Sequence, residues 1–134
     1  YGSIDTVAYS FGTISSFLEQ AKQKREIRIY GNGSQIRTFT HVEDLAGFLY
    51  ELVLKDSKNL SQVANVPGEN LSLKDAAQLI AETYASKIVY AQWDEEHWKI
   101  ESGSTAFSLS DTDTIINYKL KHSLSGWLER EARS

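Results

Sequence analysis

Residues 27–53 read IRIYGNGSQIRTFTHVEDLAGFLYELV, and this run constrains the fold more than any other. Ile27 and Ile29 alternate with Arg28 in the period-two pattern of a strand. Gly31, Asn32, Gly33 and Ser34 follow, residue types that tolerate the positive φ of a tight turn. Arg37 then alternates with Ile36 and Thr38 in a second strand pattern, so the two strands read as a β-hairpin. From Val42 the period lengthens: Leu45, Phe48, Leu49, Leu52 and Val53 recur at helical spacing. Thr40 and Glu43 stand at the spacing of a capping box, and Asp44 suits the positive end of the helix.

The flanking segments keep alternating. TISSFLEQAKQK places Ile14, Phe17, Leu18 and Ala21 on one helical face, with Ser10 or Thr13 as its cap. QVANV (62–66) reads as a short strand ended by Pro67 and Gly68. LSLKDAAQLIAETYA reads as a helix capped by Ser72, with Leu73, Ala76, Ala77, Ile80 and Tyr84 on one face. KIVYAQW reads as a strand, and the polar DEEHWKIESGSTA as a loop. FSLS reads as a short strand and SDTDTIINY as a short capped helix. SLSGWLEREA closes as a helix with Leu124, Trp127 and Leu128 inward. The expectation is a mixed α/β, or α+β-like, piece with a β-hairpin and about four to five helices.

With 134 residues the chain has room for one domain or part of a larger one, and 41% apolar residues suffice for a packed core. Its net charge of −4 and lack of a basic stripe argue against nucleic acid as a partner. It has no cysteine for disulfide or thiolate chemistry. No run approaches the ~18 apolar residues of a membrane span, so the expected location is cytoplasmic. The chain has no Met and opens YGSIDT, which reads as an excised piece of a longer polypeptide.

A phosphate-cradling loop brings backbone N–H groups together at a helix start. After Gly31 and Gly33 the next residues are Ser34, Gln35 and Ile36, so G-x-G-x-x-G is not completed and a strand follows; the turn reading is favoured. His41, His97 and His122 lie far apart in sequence, and DEEH (94–97) has the character of a solvated run more than of a metal cluster. No G-x-S-x-G elbow is present, and His41 reads as a hydrogen-bonded structural histidine. Arg37 has the fork geometry that suits a phosphate or carboxylate, yet on pattern alone it reads as a surface arginine without a role.

IRIYGNGSQIRTFTHVEDLA resembles a segment of the extended short-chain dehydrogenase/reductases, in the nucleotide-sugar epimerase and dehydratase family. Tyr1-Gly2, TISSFLEQAKQKREIRIYG, QVANVPGENLSLKDAAQLIAE and, more loosely, FSLSDTDTIINYKLKHSLSGWLE follow in the family's order. The resemblance implies the C-terminal substrate-binding part of a Rossmann-type enzyme, whose partners would be a nucleotide-diphosphate sugar and its own missing N-terminal domain. A homodimer stays open. NAD or NADP would belong to the full-length parent and none to this fragment, because the dinucleotide fingerprint and the Tyr-x-x-x-Lys pair are not in these residues. The fragment alone is then expected to be inactive.

By the same resemblance Arg37 matches the arginine at the diphosphate. Arg25 to Tyr30, including Ile29, match the strand lining the base and ribose, and Asn65 matches an asparagine near the nucleotide. His41, Val42 and Asp44 match a structural strand end and helix start. Ala64, Pro67 and Ser104 depart from the family pattern. The alternative implied is a binding or regulatory module of the same superfamily without turnover.

Overall fold

A computed structural model describes residues 1–2, 12–23, 26–55, 65–101, 103–107 and 116–133. The described elements are α1 (Thr13–Lys22), β1 (Ile27–Tyr30), β2 (Ile36–Phe39), α2 (Val42–Leu54), β3 (Glu69–Ser72), α3 (Leu73–Tyr84), β4 (Ile88–Ala91), α4 (Glu95–Ile100) and α5 (Leu124–Glu131). The class is mixed α/β, as the alternation of periods implies. No helix among the described residues is long and apolar enough to cross a membrane.

The strands form two pairs. β1 runs parallel to β4, with Ile27 opposite Ile88 and Tyr30 opposite Ala91. β2 runs antiparallel to β3, with Ile36 opposite Ser72 and Phe39 opposite Glu69. The expected hairpin is therefore corrected: β1 and β2 are consecutive but do not pair. Gly31 and Gly33 do adopt positive φ (72° and 71°), as a turn requires. Long-range bonds at the turn send the two strands apart. Gly31 N donates to Ala91 O at 2.9 Å, extending the β1–β4 ladder. Two residues later the turn meets α3, where Lys74 N donates to Gly33 O at 2.9 Å and Leu73 N to Gln35 O at 3.0 Å. That anchorage delivers β2 to β3, which leads directly into α3.

The main core lies on the Ile27/Ile29 side of β1, under α1, α3 and α5. Ile14, Phe17, Leu18 and Ala21 of α1 meet Ala76, Ala77, Ile80 and Ala81 of α3 and Leu124, Trp127 and Leu128 of α5. The alanines remove bulk where α1 crosses α3, so the backbones approach closely. Ser72 caps α3 as expected, its Oγ accepting from Asp75 N at 3.0 Å. α1 begins after Gly12 with no side-chain cap. Ser10, one of the two expected caps, lies outside the described residues, and Thr13 is the first residue of the helix.

α2 departs most from its pattern. Its cap is His41, whose Nδ1 accepts from Glu43 N at 3.2 Å. Thr40 is not the cap, because its hydroxyl donates to Pro67 O at 2.8 Å. Phe48 is buried with Ile116 and Tyr118 in a second, smaller core, and Leu52 is partly covered there. Leu49 and Val53, expected inward, are 47% and 80% exposed.

The stretch expected to be a loop contains α4. The QVANV strand, the FSLS strand and the SDTDTIINY helix fall largely on 56–64 and 108–115, outside the described residues. Their described ends, 65–66, 107 and 116–118, belong to no strand or helix. The pattern gave no hint of β3, which follows Pro67 and Gly68 directly.

Candidate substrate-binding site

A cavity of about 610 Å³ opens between α1, β1, the start of α3 and the residues after β4. The strand pattern of β1 explains its floor. Ile27 and Ile29 point into the core, so Arg28 and Tyr30 point out, exposed. Both outward side chains line the cavity together with Ser16, Gln20, Glu26 and Trp93. The β1 edge away from β4 is held by α1, where Gln20 Oε1 accepts from Arg28 N at 3.0 Å. Tyr30 and Trp93 bring their rings to 5.2 Å between centroids at a 32° tilt. Trp93 also lies over Gly31, where an added Cβ would sit 2.8 Å from its Nε1. Gly31 is thus fixed by the approach of the indole as well as by its φ. Two aromatic faces beside a guanidinium, a carboxylate and an amide suit a flat ring with polar edges.

Ile29 and Tyr30 both line this cavity, Ile29 with its side chain turned into the core. Arg37 is elsewhere, on β2 in the other strand pair. Its Nη2 forms an ion pair with Glu101 Oε1 at 2.9 Å, and its Nη1 donates to Ile36 O at 3.1 Å and to Gly103 O. Residues 103–107 run alongside β2. Thr105 N donates to Ile36 O at 2.8 Å, Ile36 N to Ser104 Oγ at 3.0 Å, and Phe107 N to Thr38 Oγ1 at 2.9 Å. Asn65 lies in the irregular stretch ahead of β3, half-buried. Arg25 lies outside the described residues.

The glycine turn does face a helix N-terminus, that of α3. Its own carbonyls, Gly33 O and Gln35 O, take the N–H groups of Lys74 and Leu73 there. With Ser72 Oγ on Asp75 N, the first three N–H groups of α3 are all engaged. The turn therefore occupies the position an anion would need.

His41, Glu43 and His122 bring metal-capable atoms within 4.8 Å of one another. His122 is already engaged on both nitrogens, Nε2 at 3.0 Å from Glu43 Oε2 and Nδ1 at 3.2 Å from Asp44 Oδ2. The rings of His41 and His122 stack at 4.2 Å and 18°. Lone pairs lie in the ring planes, so two stacked imidazoles do not aim them at one point, and the cluster is better suited to holding chain segments together.

Asp44 is the centre of that cluster. It is 1% exposed and accepts from Tyr118 Oη (3.1 Å), Lys121 N (2.9 Å) and His122 N (3.0 Å). Burial favours its neutral form, but these hydrogen bonds outweigh it and hold the carboxyl below its ordinary pKa. Burial, with the nearby His122, pushes His41 below the usual histidine value. The Nε2 of His41 is buried with no hydrogen-bond partner among the described residues. The resemblance matched His41 and Asp44 to structural positions, but nothing in the sequence tied them to the stretch 116–122 that they hold. The sequence also had no signal for Trp93 or Glu101. The one available clue was that Trp93 ends a strand pattern and Glu101 is an acid close to a glycine.

Residues 8–66 match the NAD dependent epimerase/dehydratase family. Over 75 residues the chain is 36% identical to UDP-glucuronic acid decarboxylase 1 of Danio rerio, covering 55% of this chain and 17% of that protein. The fold is similar to UDP-glucose 4-epimerase of Thermotoga maritima, solved with UDP-glucose (TM-score 0.77, 19% identity, 99% of this chain and 42% of that one). It is also similar to UDP-glucuronic acid 4-epimerase of Bacillus cereus, solved with UDP-glucuronic acid and NAD (TM-score 0.72, 22% identity, 91% of this chain and 38% of that one). The chain spans about two-fifths of the length of these solved relatives and shares the fold of that portion.

Proposed function

We propose that this chain is the substrate-binding part of a nucleotide-sugar epimerase or dehydratase and that it takes the nucleotide of a nucleotide-diphosphate sugar. The observation that carries this reading is the cavity walled by α1 and β1, both inside the stretch that matches the family. A nucleobase fits between the Tyr30 and Trp93 side and the polar groups of Gln20, Glu26 and Arg28. Arg37 would meet the diphosphate as a charge-assisted donor.

The glycine turn offers a dinucleotide no phosphate seat, because its own carbonyls occupy the helix N-terminus it faces. NAD or NADP would be held by a further part of a longer parent, which would also supply the redox chemistry. The exposed Leu49, Tyr50, Val53 and Leu54 of α2 are the surface such a part would cover. On this reading the chain alone does not turn substrate over.

The Arg37–Glu101 ion pair favours a second reading, a binding module of the same superfamily without turnover, since it leaves the guanidinium already neutralised.

Calorimetric titration with UDP-glucose and dTDP-glucose tests the proposal. Arg37→Ala and Tyr30→Ala should each weaken binding by about tenfold, the scale of one charge-assisted hydrogen bond or one stacked ring. Unchanged affinity in both variants would remove the nucleotide assignment.

A further inference from the structure

We infer that Glu101 is a built-in competitor for the anion site of Arg37 and sets which anionic ligands that site admits. The inference rests on the reading of Arg37 as an anion contact. Oε1 of Glu101 accepts from Arg37 Nη2 at 2.9 Å and from Gly103 N at 2.8 Å. One oxygen meeting a guanidinium N–H and a backbone N–H is the arrangement that holds a phosphate oxygen. Glu101 thus presents to Arg37 what a diphosphate would present.

The geometry leaves an incoming anion little alternative. Nη1 of Arg37 is taken by the carbonyls of Ile36 and Gly103, so the Nη2 edge is where a ligand oxygen would land. The pair is partly shielded, with side chains 25% and 13% exposed, so its attraction is less screened than that of a surface pair. Its placement is also not that of a loose side chain. Thr105, Ser104 and Phe107 tie the following segment to the same strand that bears Arg37. Gly103 joins this tied segment to Glu101 at φ 72°, with open space around the position of a Cβ. The bonds that hold residues 104–107 to β2 do not use Glu101.

Two consequences follow. A ligand must displace a carboxylate before it gains the guanidinium. A multiply charged anion that arrives without displacing it meets a like charge beside the arginine, so the intact pair admits only an anion that other contacts also hold.

Calorimetric titration of the chain with inorganic pyrophosphate and with UDP tests this, with melting curves to verify that each variant is folded. Glu101→Gln, which keeps the shape and the Gly103 contact, should tighten both by about tenfold. Glu101→Ala should do the same, and Arg37→Ala in the Glu101→Gln background should abolish the gain. If Arg37→Ala weakens UDP binding but neither Glu101 variant tightens it, the competitor role fails and the nucleotide reading stands. If Arg37→Ala changes nothing, the competitor role and the reading of Arg37 as an anion contact both fail, while the nucleotide reading then rests on Tyr30→Ala. If the Glu101 variants bind no pyrophosphate at millimolar concentration, Glu101 is not what withholds the site.

Discussion

Tyr118 donates its hydroxyl to Asp44 Oδ1 at 3.1 Å and lies so close to α2 that an added Cβ at Gly47 would sit 2.5 Å from the tyrosine's hydroxyl oxygen. The contact ties the start of α2 to residues 116–122, and Gly47 is the gap that lets the ring in. Gly47→Ala gains about 1 kcal/mol of helix propensity but should lose about 1–3 kcal/mol to overpacking against Tyr118. The net change expected is destabilising. Tyr118→Phe removes the oxygen that clashes, so adding Gly47→Ala to it should cost much less than in the parent chain. Urea titration of the four proteins checks this, and equal costs in both backgrounds would dismiss the contact.

Asp44→Asn leaves an amide among donors, since Lys121 N, His122 N and Tyr118 Oη all point at the carboxylate. One side of the amide accepts and the other can only donate, so at least one buried donor loses its acceptor. Destabilisation of about 3 kcal/mol is expected, the scale for one partner removed from a buried charged network. Chemical denaturation measures it, and a loss under about 1 kcal/mol would mean that the carboxylate does not organise this corner.

The same corner predicts loss of stability on acidification. His41 has its folded pKa depressed, so the charged form is disfavoured in the folded chain. Its contribution is present above the unfolded value of about 6.5 and is lost as pH falls through the folded value. Asp44 is also depressed, so its contribution is present above about 3.9 and is lost at still lower pH. His41→Asn keeps a capping side chain for α2 and removes the titration. Stability of the parent chain should decline from about pH 6.5 downward, and the variant should lose less over the same range. Parallel declines in both proteins would locate the acid sensitivity elsewhere.

These predictions concern relationships that the sequence did not show, and the reason is separation along the chain. Features set by neighbours were legible: the alternation of Ile27, Arg28, Ile29 and Tyr30, the Ser72 cap three residues from Asp75, and the inward Leu124, Trp127 and Leu128. The pairing of β1 was not, because it depends on β4, and Ile27 sits opposite Ile88. Glycines of the right spacing raised the expectation of a hairpin, and they took the positive φ of a turn, but carbonyl bonds to α3 sent the chain to a different partner. Thr40 matched a cap pattern, and a distant carbonyl at Pro67 claimed its hydroxyl. In the site, the outward Tyr30 followed from alternation, while Trp93 beside it and Glu101 against Arg37 are long-range contacts, the latter across 64 positions.

The helical period of α2 marked Phe48, Leu49 and Val53 alike as apolar, and the structure separates them. Phe48 is 2% exposed, against Ile116 and Tyr118, while Leu49 and Val53 face outward. Phe48→Ala should cost about 3–5 kcal/mol, because it empties the centre of a small core. Leu49→Gln and Val53→Gln should each stay within about 0.5 kcal/mol, since they remove little buried area. The pair of outward substitutions should instead reduce self-association in size-exclusion chromatography, because they break the exposed apolar strip formed with Tyr50 and Leu54. If Val53→Gln destabilises this chain as much as Phe48→Ala, then Val53 is covered in solution. The outer face of α2 would then be part of a core in this chain, with no surface left there for a further part to cover.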